Sequence, residues 1–209
     1  MAGQIIILNG APRSGKSSIA RVIQESFDGA WMNLGVDSYE QITPPRLRPG
    51  IGLRPGGERP DLEDFVRHFY AALYESIAAH SRLELNVVVD VGHHDGYSKP
   101  LGILADCARQ LAGLPVLFVG VRCPIEVIME RRAASEPDRA YVTASPGDPV
   151  PSPVRLWQEE VHKPGTYDLE VDTSLLSPQD CAGAIEQRLT GAPQPSAFQT
   201  LAQLPIDGQ

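Results

Sequence analysis

The sequence predicts an α/β protein organised on a parallel sheet, and three observations carry that prediction. Short apolar runs rich in β-branched residues recur through the 209 residues, separated by segments whose apolar side chains repeat at helical spacing. The first three runs close on Asn9-Gly10, Val36-Asp37 and Asp90-Val91, which puts polar and flexible residues at the sheet edge where ligands of open parallel sheets gather. Between the first run and the first helix lies Gly10-Ala11-Pro12-Arg13-Ser14-Gly15-Lys16-Ser17, a full match to G-x-x-x-x-G-K-[ST].

The first run, Gln4-Ile5-Ile6-Ile7-Leu8-Asn9, reads as a strand buried on both faces. Ile19, Val22, Ile23 and Phe27 then recur at helical spacing, so the motif sits in a strand–loop–helix context. Glycines let such a loop curl with its N–H groups inward, and the helix start adds partial positive charge, so the site suits an anion. Gly10, Ala11, Pro12, Arg13, Ser14, Gly15, Lys16, Ser17 and Ser18 are the expected nucleotide-binding residues. Lys16 would reach the β- and γ-phosphates of ATP, Ser17 would complete the shell of Mg²⁺, and Ser18 would add a phosphate contact. The plainer alternative is a chance Gly/Ser turn with a solvated lysine, and the flanks weigh against it.

Length suits one α/β domain, and 42% hydrophobic with 21% charged residues is ordinary globular composition. A formal charge of −8 argues against a broad nucleic-acid surface. Cys107, Cys123 and Cys181 are odd in number and widely spaced, which points to a reducing cytoplasm rather than zinc or redox chemistry. No leader peptide and no membrane span is expected.

A second strand is expected from Ala30 to Val36, ending in Gly35-Val36-Asp37-Ser38. Asp37 has two readings: a general base that takes the proton of a substrate hydroxyl, or a helix N-cap shared with Ser38. Residues 43–60 hold five prolines, four glycines and the arginines Arg46, Arg48, Arg54 and Arg59. That composition predicts an irregular loop, read as a substrate-side lid whose arginines clamp an anion or merely keep the loop soluble. Leu62, Phe65, Phe69, Leu73 and Ile77 mark a helix from Asp61, with Phe65, Phe69, Tyr70 and Tyr74 as core or pocket wall.

Asn86–Val91 reads as the third strand, with Asp90 either in the metal shell, beside Ser17, or purely structural. His93 and His94 follow, and a solvated loop is favoured over substrate contact, with zinc least favoured. A helix from Lys99 to Leu111 and a strand from Leu114 to Val121 come next, then a helix from Pro124 to Ser135. Arg131, Arg132 and Arg139 would cover the nucleotide and neutralise the transferring phosphoryl group, unless they only line a solvated helix face. Val154–Val161 reads as a short helix, Asp168–Thr173 as an edge strand, and Ser177-Pro178-Gln179-Asp180 as a capped helix start.

Together these features look like a small P-loop kinase and, more specifically, the chain resembles the chloramphenicol phosphotransferase family. The residues carrying this are Ile5–Gly10 with the phosphate loop, Trp31 with Gly35-Val36-Asp37-Ser38, Val119–Cys123 and Tyr167–Thr173. The resemblance, over residues 4–189, implies a five-stranded parallel sheet in the order 2-3-1-4-5 with helices on both faces. It also implies γ-phosphoryl transfer from ATP to a hydroxyl of a small molecule, with Asp37 as base and a lid around Arg131 to Arg139; in the reading of the residues, Lys16, Arg131 and Arg139 are the further catalytic groups. Residues 43–60 and 92–97 depart from the family pattern, which leaves open an anionic acceptor such as a nucleoside monophosphate or shikimate-like acid. A nucleotide-gated binding module is the non-enzyme alternative; the guanine signature Asn-Lys-x-Asp and the transporter signature Leu-Ser-Gly-Gly are absent from the sequence. The expected organisation is a kinase domain over residues 1–190 with lids near 43–60 and 131–153, then a flexible tail over 191–209.

Overall fold

The computed structural model describes residues 1–134, 149–163, 165–191 and 193–205. Among them a five-stranded parallel sheet runs in the order β2-β3-β1-β4-β5, from β1 (Ile5–Asn9), β2 (Trp31–Asn33), β3 (Asn86–Val91), β4 (Val116–Arg122) and β5 (Leu169–Asp172). The order is the one the resemblance implies. The α-helices among the described residues are α1 (Lys16–Ser26), α2 (Val36–Ile42), α3 (Glu63–Arg82), α4 (Ile103–Gln110), α5 (Ile125–Ala133), α6 (Ser152–Glu160), α7 (Pro178–Thr190) and α8 (Ala197–Ala202).

Period-two alternation divides each central strand between two cores. Ile5 and Ile7 of β1 and Val87, Val89 and Val91 of β3 face α3, α4 and α8, whereas Ile6, Leu8, Val88, Leu117 and Val119 face α1 and α7. Strand β1 is therefore apolar at successive positions because both its faces are covered. Its C-terminal end, and those of β3 and β4, open at one edge, where the phosphate loop leaves the sheet.

Several expected boundaries move. Strand β2 ends at Asn33 and α2 begins at Val36, and Gly35 between them packs so closely on β3 that a Cβ there would stand 1.9 Å from Asp90 Oδ1. Only a glycine lets β3 and the start of α2 approach so closely. Asp37 consequently lies in the first turn of α2, where a negative charge complements the helix dipole. Helix α4 starts at Ile103 rather than Lys99, since Asp95 Oδ1 accepts the N–H groups of Leu101 and Gly102 and holds that segment as a turn. Residues 43–60 are not wholly irregular: 3₁₀ helices occupy Pro45–Leu47 and Gly50–Leu53, and another follows at Pro60–Leu62. Proline in the first turn suits each short helix it starts.

The tail is the largest departure. Instead of lying loose, its α8 packs on the sheet, with Ala197, Phe198 and Leu201 buried and the Phe198 ring 5.0 Å from that of Phe118. Asp168 Oδ1 accepts the N–H groups of Ser196 and Ala197 at the start of the helix. A composition rich in Pro and Gln hides this packing because three apolar side chains on one short helix are enough to dock it. By contrast, the Ser177 capping box forms as read, with the hydroxyl accepting the Asp180 N–H at 3.1 Å. No helix among the described residues is long and apolar enough to cross a membrane.

Candidate active site

The loop from Gly10 to Ser17 has the backbone shape of an anion cradle. Arg13 and Gly15 both take left-handed backbone conformations, φ 72° and 98°, which turn successive N–H groups toward one side. Helix α1 starts at Lys16 without a side-chain cap, leaving its first N–H groups for a ligand. A Cβ at Gly10 would meet Val121 O at 2.5 Å, so the loop can lie against β4 only with glycine there. Ser14 Oγ is buried with no hydrogen-bond partner among the described residues.

Lys16 Nζ donates to the carbonyls of Gly10 and Ala11, each at 2.9 Å. Burial pulls its pKa down to about 8, partly offset by the negative charges of Asp90 and Asp37. Ser17 Oγ donates to Asp90 Oδ2 at 2.7 Å. The two carboxylates singled out in the sequence thus gather on the lysine and serine of the loop, although 53 residues separate them. Ser18 is exposed and does not line the cleft.

These groups open into a cleft of about 500 Å³, large enough for a small molecule. Gly10, Pro12, Arg13, Lys16, Ser17 and Arg132 line one part of it, and Asp37 and Asp90 stand within it. The remaining wall comes from Val36 and Glu40 of α2, Ile51, Leu53 and Arg54, Tyr70 of α3, and Val154 and Trp157 of α6.

The arginines separate into distinct roles. Arg132 is 6% exposed and lines the cleft. Arg131 does not line it; its guanidinium donates to Thr173 Oγ1 at 3.0 Å and Thr173 O at 2.7 Å, beside Gly15. Arg13 answers by donating to Arg131 O at 2.6 Å, so α5, β5 and the phosphate loop are locked together. Arg139 lies outside the described residues. Of the four arginines in residues 43–60, Arg48 donates to Thr43 O and Arg59 pairs with Asp61, while Arg54 alone lines the cleft.

His93 and His94 are not solvated: they are 2% and 4% exposed. The main-chain N–H of His93 donates to Asn9 Oδ1 at 2.6 Å, and its Nε2 lies 2.7 Å from the Tyr74 hydroxyl. Burial lowers its pKa to about 3, so the ring stays neutral. Asn9 also donates to Val161 O and to the Tyr167 hydroxyl, both at 2.9 Å, which ties the end of β1 to the segment after α6. A polar residue closing an otherwise apolar strand was the available signal for this hub. Trp157 and Glu40 carried no such signal, because nothing in their local spacing distinguishes a cleft wall from an ordinary helix face.

The profile of the chloramphenicol phosphotransferase-like protein family matches residues 3–190. A Mycobacterium tuberculosis (strain H37Rv) protein named "Putative O-phosphotransferase Rv2636" is 29% identical over 210 residues, covering 95% of this chain and 88% of that one. Among solved structures, the tunicamycin resistance protein of Deinococcus radiodurans superposes with a TM-score of 0.60 at 18% identity, covering 92% of this chain and 99% of the other. A sugar kinase from Janibacter sp. HTCC2649 gives 0.59 at 16% identity, covering 97% and 99%. Those likenesses speak for the fold, which is that of P-loop kinases. With the family profile spanning all five strands of the sheet and its phosphate loop, the chain belongs to the chloramphenicol phosphotransferase-like family and is a kinase-type phosphotransferase.

Proposed function

We propose that this enzyme transfers the γ-phosphoryl group of ATP to a hydroxyl of a small-molecule acceptor, with Asp37 as general base. The observation that carries this reading is the gathering of Lys16, Ser17, Asp90 and Asp37 on one cleft, with the Lys16 ammonium feeling both carboxylates. The cradle of left-handed residues and the buried Ser14 hydroxyl, without a hydrogen-bond partner among the described residues, fit a polyphosphate. Ser17 and Asp90 offer hard oxygen donors 2.7 Å apart, which fits Mg²⁺. Bound there with ATP, the ion would neutralise charge on the phosphate oxygens.

The chain's own residues do the rest. Lys16 exchanges its two carbonyl partners for β- and γ-phosphate oxygens, and Arg132 adds positive charge from the cleft wall. Asp37 accepts the acceptor's hydroxyl proton as its oxygen bonds to the γ-phosphorus, while the bond from that phosphorus to the β–γ bridging oxygen breaks and ADP leaves. Arg131 holds the loop in place through Thr173 rather than meeting the transferred group. The wall of Val36, Ile51, Leu53, Val154 and Trp157 suits an acceptor with an apolar body.

One observation favours a second reading, an acidic acceptor: Arg54 lines the cleft, with no ion-pair partner among the described residues. Arg54→Glu separates the two. It should raise KM at least tenfold for a carboxylate-bearing acceptor such as shikimate and less than twofold for a neutral one such as chloramphenicol. The proposal as a whole is tested by incubating the enzyme with Mg·ATP and a panel of hydroxylated antibiotics, nucleosides and sugar acids, following phosphorus resonances. A new phosphate-monoester signal with stoichiometric ADP is expected; ADP with inorganic phosphate alone across the panel would overturn it.

A further inference from the structure

We infer that His94 is a positioning residue for the acceptor wall of the cleft, an assignment that rests on the phosphotransfer reading above. His94 is not itself on the cleft surface, but it touches two residues that are: Leu53 of the 3₁₀ segment and Trp157 of α6. Its Nε2 lies 2.8 Å from Leu53 O, and its Nδ1 lies 3.1 Å from the N–H of Gly96. A carbonyl only accepts and an amide N–H only donates, so Nε2 carries the proton and Nδ1 is the acceptor. Both ring nitrogens are used, and no other side chain supplies that donor–acceptor pair across a rigid ring.

The ring faces are used as well. Trp157 meets His94 edge-on, 5.0 Å between centroids at 90°, and Tyr97 lies 4.4 Å away on another side. Behind Trp157 the packing leaves little slack, since a Cβ at Gly92 would stand 2.7 Å from the indole. His94 therefore joins three separate stretches of chain, residues 50–54, 92–97 and 152–160, at the point where they form the wall. A second tie, the Gly56 N–H to Gly96 O at 2.6 Å, independently joins the chain two residues beyond the first stretch to the second. Loss of the His94 ring should thus free Leu53 and Trp157 to move without detaching the loop.

A histidine that served only general stability would behave differently from one that sets this wall, and the readouts can be taken without knowing the acceptor. In a Trp31→Phe background Trp157 is the sole tryptophan, so its emission reports the wall directly. In the full chain, His94→Leu is expected to raise acrylamide quenching of Trp157 at least threefold and to speed amide exchange over residues 51–56 at least tenfold. ATP affinity, measured by calorimetry with Mg²⁺, should stay within twofold. His94→Gln, whose amide can donate to Leu53 O, should recover most of the protection. With chloramphenicol or shikimate, whichever is turned over, His94→Leu should raise acceptor KM tenfold or more and leave the KM for ATP unchanged. Unchanged quenching in His94→Leu, equal loss of ATP affinity in both variants, or no recovery in His94→Gln would overturn the assignment. Failure of the unsubstituted protein to bind ATP would instead overturn the phosphotransfer reading, and the quenching result would stand apart from it.

Discussion

Apart from Arg132 of α5, the phosphate-loop half of the cleft comes from one stretch of chain, residues 10–17, whereas the opposite half is assembled from α2, residues 50–54, α3 and α6. In the first, function resides in backbone: left-handed residues, uncapped N–H groups and one lysine, all within a single turn. In the second, it resides in side chains brought together by long-range contacts, such as His94 with Leu53 and Trp157. A local device tolerates drift in the rest of the fold. A composite wall can change its ligand by changing one contributor. The contrast teaches why a shared phosphate loop goes with different acceptors among proteins of one fold.

The seam between the halves is where this contrast is best attacked, and the largest effect is expected at Asp37. Asp37→Asn should lower kcat for phosphoryl transfer by about 10³-fold, the scale of general-base loss, while leaving ATP affinity within about twofold. Single-turnover transfer and calorimetry check the two parts. A transfer rate near that of the unsubstituted enzyme would remove the base assignment and leave Asp37 a helix-start carboxylate.

Gly35→Ala comes next, because its Cβ would meet Asp90 Oδ1 at 1.9 Å. Moving either Asp90 or α2 should cost about 1–3 kcal/mol of stability, the range for overpacking. Since Asp90 binds Ser17 on one side and α2 carries Asp37 on the other, both Mg·ATP affinity and transfer should fall together. Urea unfolding and nucleotide titration would show whether the halves share this hinge point or fail separately.

The smallest effect concerns Lys16. Burial pulls its pKa from 10.5 to about 8, and bound phosphate favours the charged form. Below about pH 8 the free protein already carries the proton and nucleotide affinity should be flat; above it, binding must take up a proton, and affinity should fall by up to about tenfold per pH unit. The sign for folding is opposite: between these two pKa values the unfolded chain binds more protons, so this group's contribution to stability rises with pH. Calorimetry at pH 8.5 in buffers of differing ionisation enthalpy detects the proton taken up.

The phosphate loop, the central strands and the Ser177 cap are legible in the sequence because each is written in neighbouring residues. Asp37 and Asp90 are also legible, as acids closing apolar runs, although the approach of Asp37 to Lys16 belongs to the fold. The burial of His93 and His94 was not legible, since two histidines among glycines look solvated until Tyr74 and Leu53 arrive from distant segments. Arg131 and Arg132 are adjacent in sequence, yet one is held by Thr173 and the other lines the cleft.

What depends on short-range periodicity and backbone conformation was therefore already present in the order of residues: the α/β class, the anion cradle, the helix starts. Which arginine meets the cleft, where α8 lies and what walls the cleft were decided by packing between segments tens of residues apart. Burial and hydrogen-bond partners are properties of the assembled fold, and no local pattern encodes them.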